Sequence, residues 1–201
     1  VVNEQITRVN EEQKNVLAAL AEILKMRANI YERGIDKISA NSRMLAISLQ
    51  FSPKFDKEIS SAFVDKIETA SLLHDIGMLS VNDAVAYKDT NLTADELEGI
   101  RRHTVVGADY LQKINTDKNK NGYLEMAVEI AKYHHENWDG TGYPEGLSGT
   151  DIPLSARIVA VIDTFMALNS ERSYRDAYTR EESVEIIKSE SGRRFDPDII
   201  D

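Results

Sequence analysis

Apolar residues recur at three- and four-residue intervals along most of this chain. Between positions 4 and 26, Ile6, Val9, Val16, Leu20 and Ile23 fall on one helical stripe, the spacing of an amphipathic helix. Gln13 interrupts that stripe where another apolar residue belongs, so the seam is imperfect. Such a helix either packs on its own domain or serves as a signalling helix that dimerises or joins an upstream sensor. The pattern supports both. Further helical periodicity covers about 35–50, 57–74, 93–114, 123–135, 154–169 and 180–189. Capping boxes open two of these segments, Thr93-Ala94-Asp95-Glu96 and Thr179-Arg180-Glu181-Glu182. Phe51-Ser52-Pro53 and the Gly/Pro-rich stretch 139–153 break the pattern most sharply. Strand-like alternation is confined to a short segment near 79–86, and no internal repeat is found. The reading is all-α, with a connecting helix over 1–29 and a helical bundle over 30–201. In such a bundle, side chains from several helices converge on a central site.

Two apolar runs are interrupted by groups that do not belong in a core. His74-Asp75 lies within Ala70-Ser71-Leu72-Leu73-His74-Asp75-Ile76-Gly77-Met78-Leu79, and Asp163 splits Ile158-Val159-Ala160-Val161-Ile162-Asp163-Thr164-Phe165. A buried charge without compensation costs several kcal/mol, so such a group is protonated, paired or metal-bound. The chain has four histidines, His74, His103, His134 and His135, and these with Asp75 and Asp163 suffice for a metal centre. Adjacent His134 and His135 point about 100° apart on a helix. Both reach one ion only where the helix ends, as it does before Glu136-Asn137-Trp138-Asp139-Gly140. His103, read as mid-helix, becomes a ligand only in company with the others. No cysteine is present, which removes thiolate sites, iron–sulfur clusters and disulfides, and is compatible with the cytoplasm.

Composition narrows the partners. A net charge of −10 argues against long nucleic acid, though bound metal can still attract a small phosphorylated ligand. The apolar stretches fall short of the ~20 residues that span a bilayer. The 201-residue chain opens at Val1 rather than Met, so sequence upstream is expected. Asp117-Lys118-Asn119-Lys120-Asn121-Gly122 copies the start of a calcium loop, but Val128 stands where its bidentate Glu is required, so it is read as a solvated connection.

The succession His74-Asp75-Ile76-Gly77, His103 with Gly107, His134-His135-Glu136 and Trp138-Asp139-Gly140-Thr141-Gly142-Tyr143-Pro144 resembles the HD-GYP family. That family is a branch of the HD superfamily of metal-dependent phosphohydrolases. The likeness continues through Ile152-Pro153-Leu154, Ala156-Arg157-Ile158, Asp163, Arg172, Arg175 and Phe195-Asp196-Pro197. It implies an HD-type helical bundle with a metal centre in its core and hydrolysis of cyclic di-GMP, or a related cyclic dinucleotide, to the linear dinucleotide or GMP. It implies that Asp75 bridges two divalent ions, with His74 and Asp163 on one and His103, His134 and His135 on the other. Iron or manganese suits this donor set, and zinc or nickel would also bind it. Tyr143, Arg172 and Arg175 are implied as substrate contacts. Arg157 is read instead as a structural ion pair, with Glu136 or Asp139 as partner.

Four positions at or beside the expected site depart from the family pattern, besides loop changes at Val81-Asn82-Asp83 and Lys88-Asp89-Thr90. Gly34 stands where a metal-binding histidine is expected and Ile30 where three-metal members carry glutamate; Met78 replaces a lysine and Met166 an aspartate. A reduced, two-metal phosphodiesterase follows from this reading. The alternative is a degenerate module that binds metal or cyclic dinucleotide and signals by contact, with little turnover.

Overall fold

The computed structural model describes residues 2–28, 35–86, 88, 90–114, 122–171 and 176–201. Ten α-helices lie in this part of the chain: α1 (Val2–Ala28), α2 (Ile35–Gln50), α3 (Ser61–Ala70), α4 (Asp83–Ala86), α5 (Ala94–Arg101), α6 (His103–Ile114), α7 (Tyr123–Tyr133), α8 (Leu154–Leu168), α9 (Arg180–Ser189) and α10 (Pro197–Ile200). Among the described residues no strand forms, only the isolated bridges Asp139–Ser148 and Ser191–Phe195. The fold is all-α, as the periodicity requires. Gly34, Ile30, Arg172, Arg175 and the calcium-loop look-alike at 117–121 lie outside the described residues.

Local chemistry sets the helix ends. Thr93 accepts from the Glu96 N–H while the Glu96 carboxylate accepts from the Thr93 N–H, and Thr179 with Glu182 repeats this arrangement. Ser60 caps α3 through the Phe63 N–H. Two expectations are corrected. The segment near 79–86 is not a strand: a 3₁₀ turn over Ile76–Ser80 leads into α4. The span 93–114 is not one helix but two, because the backbone tightens at Arg102, whose N–H reaches both Glu98 and Ile100 carbonyls. His103 therefore begins α6 rather than sitting mid-helix.

A single apolar cluster holds the helices together. It includes Leu17 and Ala21 of α1, Ala46 of α2, Ile67 of α3, Leu111 of α6, Ile130 of α7 and Ile158 of α8. α7 lies centrally, against α3, α6 and α8. Burying each of the leucine and isoleucine side chains among these contributes about 1.5–3 kcal/mol. Gln13, the flaw in the α1 seam, is itself buried. Its Oε1 accepts from the Leu124 N–H at 3.5 Å. Gly122, the N-cap of α7, has no side chain with which to do this. Gln13 thus satisfies an orphan donor that a cap residue usually takes.

Arg157 forms a buried ion pair, but with Asp196 rather than Glu136 or Asp139: Nη1 lies 2.5 Å from Oδ2. The Arg157 Nε also donates to the Ile152 carbonyl at 2.9 Å, and Asp196 Oδ1 accepts from the Asp198 N–H at 2.9 Å. Both charges are thereby hydrogen-bonded, which burial demands. The pair ties the C-terminal segment to the start of α8.

Candidate metal centre

Asp75 occupies the short link between the 3₁₀ turn at Ser71–Leu73 and the next one at Ile76–Ser80. Its position is set by a backbone crossing. Gly77 lies against the first turn of α6, where a Cβ would collide with the His103 carbonyl, and a Cβ on Gly107 would come within 2.9 Å of the Gly77 nitrogen. Only glycine permits this approach. It brings Asp75 Oδ1 to 3.1 Å from His103 Nε2. α7 ends at Tyr133, and His134 in the following turn places its Nε2 3.4 Å from the same oxygen.

The other carboxylate oxygen faces elsewhere. Asp75 Oδ2 lies 3.5 Å from His74 Nε2, which is 4.0 Å from Asp163 Oδ1 on α8. Donor atoms of Asp75, His103, His134 and His135 all lie within 4.8 Å of one another. Asp163 stands outside that tight group, beside His74. The structure so brings four of the other five expected ligands, His74, His103, His134 and His135, around Asp75 directly, and the fifth, Asp163, one step away.

Three histidines share one orientation device. His74 Nδ1 lies 3.0 Å from the Ser71 carbonyl, His103 Nδ1 2.7 Å from Ile100 and His134 Nδ1 2.8 Å from Ile130. Each carbonyl sits three or four residues back and takes the Nδ1 proton, leaving the Nε2 lone pair aimed at the carboxylates. That tautomer is the one a metal ligand needs. The Nε2 atoms of His103 and His134, and Asp75 Oδ1, are buried without a hydrogen bond. Lone pairs held this close call for a cation between them, so the residues fit a metal ion.

Charge follows the same geometry. Burial works against ionised Asp75, but His74 and the contacts with His103 and His134 outweigh it and hold its carboxyl well below the ordinary range. Burial disfavours the His103 imidazolium, yet the Asp75 carboxylate outweighs it and raises that ring. His135 is pushed well below its ordinary value by burial and then by His134. It stays neutral, as a ligand must.

The Gly-Tyr-Pro loop folds back over His135. The Tyr143 ring stacks on it with centroids 4.9 Å apart and 28° between planes, and the Tyr143 N–H donates to the His135 carbonyl at 3.2 Å. Burial, then the Asp75 charge, raises the phenol above its ordinary value, so it remains a hydrogen-bond donor. Gly142 packs directly on the backbone of Glu136 and Asn137. Sequence reasoning missed what latches this loop. Buried Glu136 accepts from the Glu145 and Gly146 N–H groups, at 2.8 and 3.1 Å, through a single oxygen. The signal was available: an acid directly after two candidate ligands and ahead of a turn rich in unpaired N–H groups. Met166 accepts from Asn41 Nδ2 at 3.4 Å, and Met78 is partly buried. Among the described residues no helix is long and apolar enough to cross a membrane.

Comparison with known proteins gives the family. The family model described as "HD domain" matches residues 54–199. The cyclic di-GMP phosphodiesterase response regulator RpfG of Xanthomonas campestris is 34% identical over 196 residues, which is 98% of this chain and 48% of that protein. The 3'3'-cGAMP-specific phosphodiesterase 2 of Vibrio cholerae is 38% identical over 143 residues, 71% of this chain and 26% of that one. The chain thus spans half or less of these relatives' length. A crystal structure of a cyclic GMP-AMP-specific phosphodiesterase from V. cholerae shares the fold, with a TM-score of 0.64 at 19% identity, over 93% of this chain and 46% of the other. With the His74-Asp75 pair, the three converging imidazoles and the folded-back Gly-Tyr-Pro loop, this chain belongs to the HD-GYP branch of the HD-domain family.

Proposed function

We propose that this domain is a metal-dependent phosphodiesterase that opens a cyclic dinucleotide, cyclic di-GMP foremost, to the linear dinucleotide and on to GMP. One observation carries the reading: the two oxygens of Asp75 are divided, Oδ1 toward His103 and His134 and Oδ2 toward His74. That division suits a two-ion site, in which Asp75 with His74 and Asp163 would hold one divalent ion and Asp75 with His103, His134 and His135 would hold the other. Imidazole and carboxylate together favour iron or manganese.

Two such ions would supply an activated water at neutral pH and offset the charge of the phosphoryl oxygens. The chain's own residues do the rest. The three Nδ1–H contacts to backbone carbonyls fix the imidazole planes before any ligand arrives, so little reorganisation accompanies binding. Glu136 and Gly142 hold Tyr143 against His135, with a protonated phenol as donor to substrate. Arg172 and Arg175 remain proposed contacts to phosphate or guanine, which a planar guanidinium matches. A relative named as a response regulator, of which this chain spans 48%, supports an input domain upstream. With such a substrate goes a cytoplasmic setting.

The test is direct. Bound ions are counted in the purified protein, which is then loaded with iron or manganese and given cyclic di-GMP or 3'3'-cGAMP, with products resolved by chromatography. Linear dinucleotide is the expected product. A filled two-metal site that cleaves neither substrate would overturn the proposal.

A further inference from the structure

Arg101 is the last residue of α5, two positions before His103. Its guanidinium stands over the Tyr143 ring, 5.3 Å from the centroid, and that ring in turn stacks on His135. The side chain is exposed, and its link to the metal cluster runs through that stack. Arg8, Arg43, Arg157 and Arg193 each pair with a carboxylate. Among the described residues Arg101 has no such partner, nor do Arg102, Arg180 and Arg194, but of these four it is Arg101 that stands over Tyr143. A cation at a helix C-terminus is favoured by the helix dipole, but that interaction is satisfied by many side-chain conformations. Leaning on Tyr143 is one particular conformation, and it carries an unneutralised charge to one aromatic ring's distance from a candidate ligand.

A cyclic dinucleotide brings two phosphates. The metal cluster engages the one being cleaved, and with Arg172 and Arg175 divided between phosphate and guanine the other phosphate gains from a further cation in a protein of net charge −10. Met78, in the turn that follows Asp75, offers none. We propose that Arg101 is a substrate-binding residue that holds the phosphate not being cleaved. This rests on the phosphodiesterase reading above. The guanidinium exchanges its contact with the Tyr143 ring for a bidentate contact with phosphate oxygens, the geometry in which arginine surpasses lysine. The free Tyr143 face is then open to a base, so one movement prepares both contacts.

Metal-loaded wild type, Arg101→Ala and Arg101→Lys are compared by calorimetric binding of cyclic di-GMP, by steady-state hydrolysis, and by metal content. Arg101→Ala is expected to raise Kd and KM for cyclic di-GMP about tenfold, the size of one charge-assisted contact. Metal content should hold, kcat should fall less than KM rises, and Arg101→Lys should recover part of the loss. Bis(p-nitrophenyl) phosphate, which has a single phosphodiester, should suffer a smaller loss than cyclic di-GMP. Equal losses on the two substrates, or an unchanged Kd in Arg101→Ala, would overturn the assignment while leaving the phosphodiesterase reading intact. A wild type that neither binds nor cleaves the dinucleotide would overturn that reading and this one with it.

Discussion

The two sides of Asp75 are built differently. Toward Oδ1, His103 and His134 come from the start of α6 and the end of α7, elements that pack on each other, with His135 adjoining. The rings themselves touch, His134 and His135 having centroids 4.1 Å apart. Toward Oδ2 there is one buried imidazole, His74, and then Asp163, whose side chain keeps 26% of its surface exposed. Its neighbour one turn on, Met166, bonds to Asn41 rather than to the cluster. A backbone carbonyl fixes His103 and His134 on the crowded side and His74 on the open side alike, but the open side is finished by one partly exposed carboxylate. Rigidity at a metal site comes from the elements behind the ligands as much as from the ligands themselves.

The largest expected effect comes from cutting both sides at once. Asp75→Ala removes both oxygens, so bound metal and phosphodiester hydrolysis should fall together, the rate by about 10²–10³-fold. With two ions held as proposed, Asp163→Ala should instead cost the open side its ion while the crowded side keeps its own, leaving about half the metal by elemental analysis. Equal metal loss in the two variants would break the asymmetry. Gly77→Ala strikes the crowded side through its scaffold. The new methyl group must push α6 away from Asp75, so urea unfolding should show a loss of about 1–3 kcal/mol and metal affinity should drop with it.

The smallest effect concerns the cap of α5, which leads into His103. Lys88 and the Thr93 N–H lower the Glu96 carboxyl from 4.5 to about 2. Because the folded value lies below the ordinary one, this stabilisation is complete above 4.5 and disappears as pH falls toward about 2. Glu96→Gln should therefore flatten the fall of Tm across that window and change little at neutral pH. An unaltered acid limb would show that the exposed cap contributes nothing measurable to the crowded side.

Legibility in the sequence tracked the range of the interactions. α2 runs over Ile35–Gln50 as its periodicity predicts, and both capping boxes form, because the determinants lie within a few residues. The break at Arg102 was invisible, since apolar spacing continues unchanged through a single tightened turn. His74, Asp75 and Asp163 were legible as polar interruptions of apolar runs and the other histidines as companions for a shared centre, while the division of the ligands between two ions came only through the family resemblance. Partners set by the path of a loop were not. Arg157 pairs with Asp196, 39 residues away, rather than with the nearer acids. Glu136 serves backbone groups nine and ten residues downstream, and nothing in a periodicity registers such a return of the chain.

Gln13 reaches further still, across 111 positions to the start of α7. A helix that borrows its cap from the far end of the chain is completed only when that end has docked. Closing so long a loop is slow relative to forming local turns. The helix that presents His134 and His135 at one end therefore acquires its cap at the other end late in folding. Shortening the protein to begin after α1 would keep every candidate ligand and still leave α7 frayed at its first turn. The ligands and the conditions for their order are encoded in separate stretches of the polypeptide.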